Sequence, residues 1–299
     1  MRRILVIRLG ALGDIVLSFP AFAAIRAAHP GAEITLLTTA PFAGWLTQSP
    51  WFDQVLVDDR PAFWNLPGLA RLHRKLVGFD MVYDLQTSSR SSRYFRLAGR
   101  PPWSGIAPGC SHPHANPARN AMHTRERIAE QLAMAGIPTL PAPDLSWLCG
   151  GMMGFNLPAR FAALIPGAAP HRPAKRWPAG NFATLAKRLD LPVAILGGKA
   201  EQPIAARIRR DAPEAIDFTG RTDLAHLAAL LARASLAIGN DTGPMHLAVA
   251  LGTPSIVLFS GESDPALTAP RYPEGGWPTI LRAPDLADLP VDRVAEALP

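Results

Sequence analysis

Residues 4 to 28 read ILVIRLGALGDIVLSFPAFAAIRAA, and the order of signals within them decides the fold class. Ile4 to Arg8 is a short run rich in β-branched residues. Gly10 to Gly13 supplies a turn, and the apolar-rich segment Ile15 to Ala28 reads as one helix closed by His29-Pro30-Gly31. The pattern recurs outward through Glu33 to Thr38, a helix near Phe42 to Gln48, Gln54 to Val57, a helix near Pro67 to Val77, and Asp80 to Leu85. Ser88 to Leu97 and Thr124 to Ala135 also read as helices. Strands that are apolar nearly throughout and alternate with helices predict a parallel sheet covered on both faces.

Between Gly136 and Arg160 the chain carries Pro138, Pro141, Pro143, Gly150, Gly151, Gly154 and Pro158, which suits a linker. The alternation then restarts with Phe161 to Ile165, Asn181 to Leu189, Pro192 to Leu196 and Pro203 to Arg210. It continues through Leu224 to Ala232, Leu236 to Ile238, Met245 to Leu251 and Ser255 to Phe259. A length of 299 residues fits two domains of roughly 150 residues each. The expected organisation is an α/β protein with an N-terminal Rossmann-like domain over residues 1–140, a linker over 141–160 and a C-terminal Rossmann-like domain over 161–299. The default ligand site is the cleft between the domains, beyond the carboxyl ends of the strands.

Composition narrows the class further. Hydrophobic residues at 48% against 18% charged exclude a disordered chain. Cys110 and Cys149, with no CxxC pattern, exclude a disulfide framework or zinc ribbon and fit a reducing compartment. Met1 to Ile7 with Ala21-Phe22-Ala23 imitates a signal peptide, but Arg8 and Asp14 interrupt the apolar stretch. Thr242 to Gly261 carries no formal charge, yet Pro244, His246, Gly252 and Pro254 divide it into a short helix and a short strand. A soluble cytoplasmic chain is expected, with any membrane contact peripheral.

The net charge of +6 lies wholly in residues 1–136, which hold 15 Lys/Arg against 9 Asp/Glu, while residues 137–299 hold 15 of each. Within it, residues 60–127 carry Arg60, Arg71, Arg74, Lys75, Arg90, Arg93, Arg96, Arg100, Arg119, Arg125 and Arg127 against only Asp80, Asp84 and Glu126. It reads as a site for an anionic partner or as a solvated surface.

Three turns carry residues with chemistry in them. The first is Arg8-Leu9-Gly10-Ala11-Leu12-Gly13-Asp14-Ile15, with the spacing Gly-x-x-Gly-Asp rather than GxGxxG. Its glycines let a backbone approach a ligand closely, but a carboxylate there repels a pyrophosphate. Asp14 reads either as a cap that complements the helix dipole or as a general base within reach of a substrate hydroxyl. The second turn is Asn240-Asp241-Thr242-Gly243-Pro244-Met245-His246-Leu247. Thr242 suits an N-cap, Pro244 a first turn, and the amides of Thr242, Gly243 and Met245 are available to an anion. An ordinary capped turn with a packed His246 is the alternative. The third is Pro166-Gly167-Ala168-Ala169 followed by Ala174-Lys175-Arg176-Trp177-Pro178. Lys175 offers a point charge to a phosphate, against a solvated basic pair with Trp177 packed beneath the loop. Glu201, in Gly197-Gly198-Lys199-Ala200-Glu201, is placed to take ribose hydroxyls.

Together with Asp84-Leu85-Gln86 and the continuation Ala248 to Pro254, these ordered motifs resemble glycosyltransferase family 9, the lipopolysaccharide heptosyltransferases, from residue 4 to about residue 260. The resemblance implies a GT-B architecture, two Rossmann-like domains with parallel sheets facing a central cleft. The acceptor would lie mainly on the N-terminal domain and the nucleotide sugar mainly on the C-terminal one. It implies an inverting, metal-independent glycosyltransferase that moves heptose from ADP-heptose to the Kdo/heptose inner core of lipopolysaccharide, with no cofactor beyond the substrate nucleotide sugar. By matching position, Asp14 is the expected catalytic base and Lys175 its catalytic partner on the donor phosphate and sugar. Asp241, Thr242, Gly243, Pro244, Met245 and His246 are the expected donor loop, joined by Gly167, by Glu201 at the ribose and by Thr222 near the adenine. Gly10, Gly13, Arg8, Arg90, Arg93 and His123 are expected on the acceptor side, where the basic excess would meet Kdo carboxylates and lipid A phosphates. The expected partners are a nucleotide-sugar donor, an anionic lipid-linked saccharide and, peripherally, the inner membrane, with no nucleic acid.

Ser111 to Asn120 reads as a distinctive acceptor loop. His112, His114 and His123 lack a carboxylate or cysteine at ligand spacing, so no metal site is expected. Two other readings stay open: a glycosyltransferase with a different nucleotide sugar and acceptor, and a noncatalytic nucleotide-sugar-binding protein. Asp14 together with Lys175 speaks against the latter, because binding alone needs no base. A dinucleotide dehydrogenase is excluded by the want of GxGxxG.

Overall fold

A computed structural model describes residues 1–150, 157–169 and 171–299, and the chain divides into two compact units, Met1–Trp147 and Leu148–Pro299. Gly151 and Gly154 of the expected linker lie outside the described residues.

In the first unit, strands β1 (Arg3–Ile7), β2 (Glu33–Thr38), β3 (Gln54–Val57), β4 (Met81–Asp84), β5 (Trp103–Gly105) and β6 (His112–Pro113) form one sheet in the order β3-β2-β1-β4-β5-β6. Every pairing is parallel. Helices α1 (Leu12–Leu17), α2 (Phe19–Ala28), α3 (Ala40–Leu46), α4 (Leu66–Leu76), α5 (Ser89–Leu97) and α6 (Thr124–Met134) connect and cover it. Ile4 to Ile7 are fully buried because helices cover both faces of the sheet. The strand order reverses between β1 and β4, and ligands of such sheets bind where the carboxyl ends diverge at that point. Arg8 follows β1 and Asp84 ends β4, so both stand there.

One expectation fails locally. Ile15 to Ala28 is not a single helix: α1 and α2 meet at Ser18, whose amide donates to Ile15 O and whose hydroxyl donates to Asp14 O at 2.8 Å. Pro20 lies in the first turn of α2, where a residue without an amide is tolerated but a helix interior would not accept it.

In the second unit, β7 (Ala162–Ile165), β8 (Val193–Ile195), β9 (Ile216–Asp217), β10 (Leu236–Asn240), β11 (Ser255–Phe259) and β12 (Thr279–Arg282) form a second parallel sheet in the order β12-β11-β10-β7-β8-β9. Its helices are α7 (Ala179–Ala186), α8 (Gln202–Asp211), α9 (Leu224–Arg233), α10 (Gly243–Ala250), α11 (Pro265–Thr268) and α12 (Val291–Ala295). Leu164, Ile195, Ile238 and Leu258 carry the core from strand to strand, with Trp177 and Phe182 packed on it. The two rings meet edge to face, 4.8 Å between centroids, and the indole nitrogen donates to Leu289 O at 2.8 Å, so Trp177 is buried with its polar atom satisfied. Here the order reverses between β7 and β10.

The uncharged stretch 242–261 forms α10 and β11, and among the described residues no helix is long and apolar enough to cross a membrane. The short strands β5, β6 and β9 have no separate signal in the sequence. Three or two residues are too few for a periodicity to show.

Candidate active site

In the first unit, Asp14 lies in the first turn of α1, where its Oδ2 accepts from the amide of the N-cap residue Ala11 at 3.2 Å. Capping does not consume the carboxylate, which remains 44% exposed. Gly10 makes the approach to this turn possible. Its φ of +123° suits glycine, and a Cβ there would stand 2.8 Å from Phe42 Cε2. Gly13 is buried within α1.

Arg8 departs from the acceptor-side expectation. It is buried, and its guanidinium donates to Leu85 O at 2.6 Å and to Asp14 O at 2.9 and 3.1 Å, with Nη2 3.2 Å from Asp14 Oδ1. With its donors taken by the protein, Arg8 is a strut beneath Asp14 and not a surface contact. Burial lowers its pKa, Asp14 and Asp84 oppose that, and the neighbouring Arg127 adds to it. Gln86 Oε1 accepts from the Leu9 amide at 2.8 Å, tying the loop after β4 to the loop after β1.

Asp84 is fully buried, with Oδ1 accepting from the Gln86 and Thr87 amides at 3.1 and 3.0 Å. Burial pushes its carboxyl up to about 6 against the opposing pull of the Ser91 hydroxyl, those amides and Arg8. Arg119 belongs to the same surroundings: burial and then Arg127 lower it, while Asp84 raises it. Arg119 and Arg127 both belong to the basic stretch, and the fold brings Arg127 near Arg8 and near Arg119.

Arg90 and Arg93 sit on α5 and converge on one ring, with their guanidinium carbons 5.6 and 4.3 Å from the centroid of Phe63. His123 is buried at the N-terminus of α6. Its Nδ1 lies 3.2 Å from the Arg125 amide and 2.9 Å from a Glu126 oxygen, so it caps that helix instead of presenting its ring to a ligand. His114 also acquires a partner that its local sequence does not offer, Glu130 Oε2 at 3.0 Å. Among the described residues no group of three or more His, Cys, Asp or Glu side chains forms a metal-binding cluster.

In the second unit the candidate residues gather at the carboxyl ends of β7, β8 and β10. Lys175 Nζ donates to Asp241 Oδ2 at 2.6 Å, and Ser263, after β11, donates its hydroxyl to the same oxygen at 2.7 Å. His246 Nε2 stands 3.6 Å from Asp241 Oδ1, and its buried Nδ1 has no partner among the described residues. Burial would raise the Asp241 carboxyl. Hydrogen bonding and charge from His246, and then from Lys175, outweigh that and hold it well below the usual carboxylate range. Ser263 is a residue that sequence reasoning missed, since nothing around it marks it.

Asn240 organises this region. Buried at the end of β10, it accepts from the Trp177 amide at 3.1 Å and donates to Pro166 O at 2.8 Å, so one side chain holds the loop after β7 and the Lys175 segment together. Glu201 packs against the same loop: a Cβ on Gly167 would meet its Cγ at 2.8 Å, and its Oε2 accepts from the Gly198 amide at 2.9 Å. Thr222 is half-buried just ahead of Asp223, the N-cap of α9.

The donor loop needs two corrections. Thr242 occupies the N-cap of α10 but makes no side-chain capping bond. The Met245 amide is not available to an anion, since it donates to Thr242 O at 3.0 Å, and its side chain is buried against Gly239. Pro244 has no amide. The amides of Thr242 and Gly243 make no hydrogen bond among the described residues and are left to face a ligand. A cation, a carboxylate and two open amides on one sheet edge can bind a hydroxylated sugar and an attached phosphate.

Residues 141–276 match the model of glycosyltransferase family 9 (heptosyltransferase). The lipooligosaccharide heptosyltransferase 2 of Haemophilus influenzae is 35% identical over 125 residues, 39% of this chain and 35% of that protein. The matched stretch thus spans about a third of that relative's length. The lipopolysaccharide heptosyltransferase 1 of Pseudomonas aeruginosa is 27% identical over 296 residues, 89% of this chain and 80% of that protein. Among solved structures, an Escherichia coli heptosyltransferase with ADP-2-deoxy-2-fluoro heptose superposes with a TM-score of 0.79 at 22% identity, covering 98% of each chain. That likeness establishes the α/β fold with two Rossmann-like units of the GT-B class.

Proposed function

We propose that the chain is a member of glycosyltransferase family 9, whose model matches residues 141–276, and that it is an inverting, metal-independent enzyme that moves heptose from ADP-heptose to the Kdo/heptose inner core of lipopolysaccharide. The observation that carries this reading is the convergence of Lys175, Ser263 and His246 on Asp241 beside the open amides of Thr242 and Gly243. The names of the relatives support heptose as the sugar, and the bound analogue of the Escherichia coli enzyme supports an ADP-linked donor.

Asp14 is the proposed base. Its carboxylate takes the proton of the acceptor hydroxyl as that oxygen attacks the anomeric carbon. The bond from that carbon to the diphosphate breaks on the opposite face, which inverts the configuration. ADP leaves with the negative charge, and Lys175 with the Thr242 and Gly243 amides neutralises it, at about 3 to 4 kcal/mol for each well-placed donor by analogy with oxyanion sites. Asp241 orients the Lys175 ammonium and is available to sugar hydroxyls. Gly167, Glu201 and Thr222 complete the proposed donor side, while Arg90, Arg93, Arg119 and Arg127 supply positive charge to an anionic acceptor. On this reading residues 1–140 serve the acceptor and residues 161–299 the donor, and the enzyme works at the cytoplasmic face of the inner membrane in peripheral contact with it.

The test is direct. Purified protein is incubated with ADP-heptose and Kdo-lipid A, with and without a chelator, and the product is read by mass. A mass gain of one heptose that survives chelation is expected. No gain with any inner-core acceptor sinks the reading, and loss on chelation sinks its metal-independent part.

A further inference from the structure

The segment between β3 and α4 exposes large apolar side chains that transfer chemistry does not use. Phe63, Trp64 and Leu66 are 44%, 85% and 71% exposed. Asn65 between them caps α4, accepting from the Gly68 amide at 2.9 Å. Three such side chains in four positions, held outside the core, mark an interaction surface rather than incidental exposure.

The segment is braced from behind. Asp58 accepts from the Arg60 amide at 2.8 Å and from the Tyr94 hydroxyl at 2.7 Å, and Arg90 donates to Pro61 O at 3.4 Å. Arg60 also donates to Leu9 O at 3.2 Å, which ties the segment to the turn that carries Asp14. A braced loop that still presents an indole to water is poised for a partner.

Charge identifies that partner. Arg93 and Arg90 lie over the Phe63 ring, so cations border the apolar side chains directly. Arg71 and Arg74 add exposed positive charge along α4. Tryptophan and leucine flanked by arginine is the composition that settles at a bilayer surface, rings among the headgroups and cations on lipid phosphates. A nucleic acid would use the arginines but leave Leu66 in water.

We propose that residues 61–66 form a membrane-docking wedge, in which Trp64 and Leu66 enter the headgroup region of an anionic bilayer while Arg71, Arg90 and Arg93 engage lipid phosphates. The wedge deepens the functional reading and rests on its lipid-linked acceptor: it sets the Asp14 turn beside the membrane that carries the substrate.

The test is co-sedimentation with phosphatidylcholine vesicles, with or without phosphatidylglycerol, without donor sugar. The wild-type protein binds the anionic vesicles and not the neutral ones. Trp64→Ser combined with Leu66→Ser lowers the partition roughly tenfold or more, and Arg71→Gln lowers it about fivefold. The Trp64/Leu66 variant retains wild-type circular dichroism and wild-type turnover on a delipidated, soluble acceptor. Vesicle binding undiminished in that variant overturns the wedge, as does wild-type binding indifferent to anionic lipid. A protein that docks but transfers no sugar defeats the enzymatic reading alone, and one that transfers but does not dock defeats the wedge alone.

Discussion

Lys175 donates to Asp241 Oδ2 at 2.6 Å with only 11% and 7% of the two side chains exposed. A cation and a carboxylate held this far out of water depend on each other, because either one alone carries its desolvation cost without the compensating attraction. Lys175→Met or Asp241→Leu alone should therefore lower stability by about 3 to 5 kcal/mol, and the combined variant by clearly less than the sum. Urea unfolding of the three variants measures this. Strictly additive losses would mean that the pair is not coupled.

Asp14 makes a contrasting prediction, since a half-exposed carboxylate can lose its charge without unsettling a core. Asp14→Asn should reduce turnover by about 10² to 10⁴ while changing stability by no more than about 1 kcal/mol, the scale of a lost cap. Nucleotide affinity, read by calorimetry with ADP, should stay near the wild-type value. Wild-type turnover in this variant would remove Asp14 from the chemistry.

Arg8 should act only through Asp14. A lysine has one ammonium and cannot span Leu85 O and Asp14 O as the guanidinium fork does. Arg8→Lys is expected to cut turnover roughly 10- to 100-fold by misplacing the carboxylate. In an Asp14→Asn background the same change should have little further effect. A full additional loss there would give Arg8 an independent role, such as direct acceptor contact.

Buried Asp84 ties stability to pH. Its carboxyl rises from an ordinary 3.8 to about 6 in the folded protein, so the folded state binds the extra proton in between. This contribution is fully present below about pH 3.8 and is lost as pH rises through about 6. The size is about 3 kcal/mol for a shift of that extent. Asp84→Asn should remove that slope, so the stability difference between wild type and variant should change across pH 4 to 6.5. A difference independent of pH there would show that Asp84 stays ionised.

How much of this was legible differs by element. The alternation, the carboxyl-end loops and the motif around Asp241 could be read directly, since each is written in a few consecutive residues: apolar strands, glycine turns and a proline in a helix's first turn. The break at Ser18 was legible too, through Pro20, but the apolar run over it masked the signal. Arg8 and His123 read from the sequence as acceptor contacts because their types suggest anion binding, whereas the fold buries both and sets Arg8 against Asp14 and His123 at the N-terminus of α6. His114 with Glu130, and Ser263 with Asp241, were not legible at all.

The amino-acid order alone determined two parallel α/β halves and the loops on which chemistry would lie, because hydrophobic period and turn chemistry are local properties. Only the tertiary structure decided which side chains meet. Arg8 reaches Leu85 across 77 residues and Lys175 reaches Asp241 across 66. Both contacts arise where strand order reverses, β1 beside β4 and β7 beside β10. Strand order reflects the packing of whole helices on whole sheets, and no short window of sequence carries it.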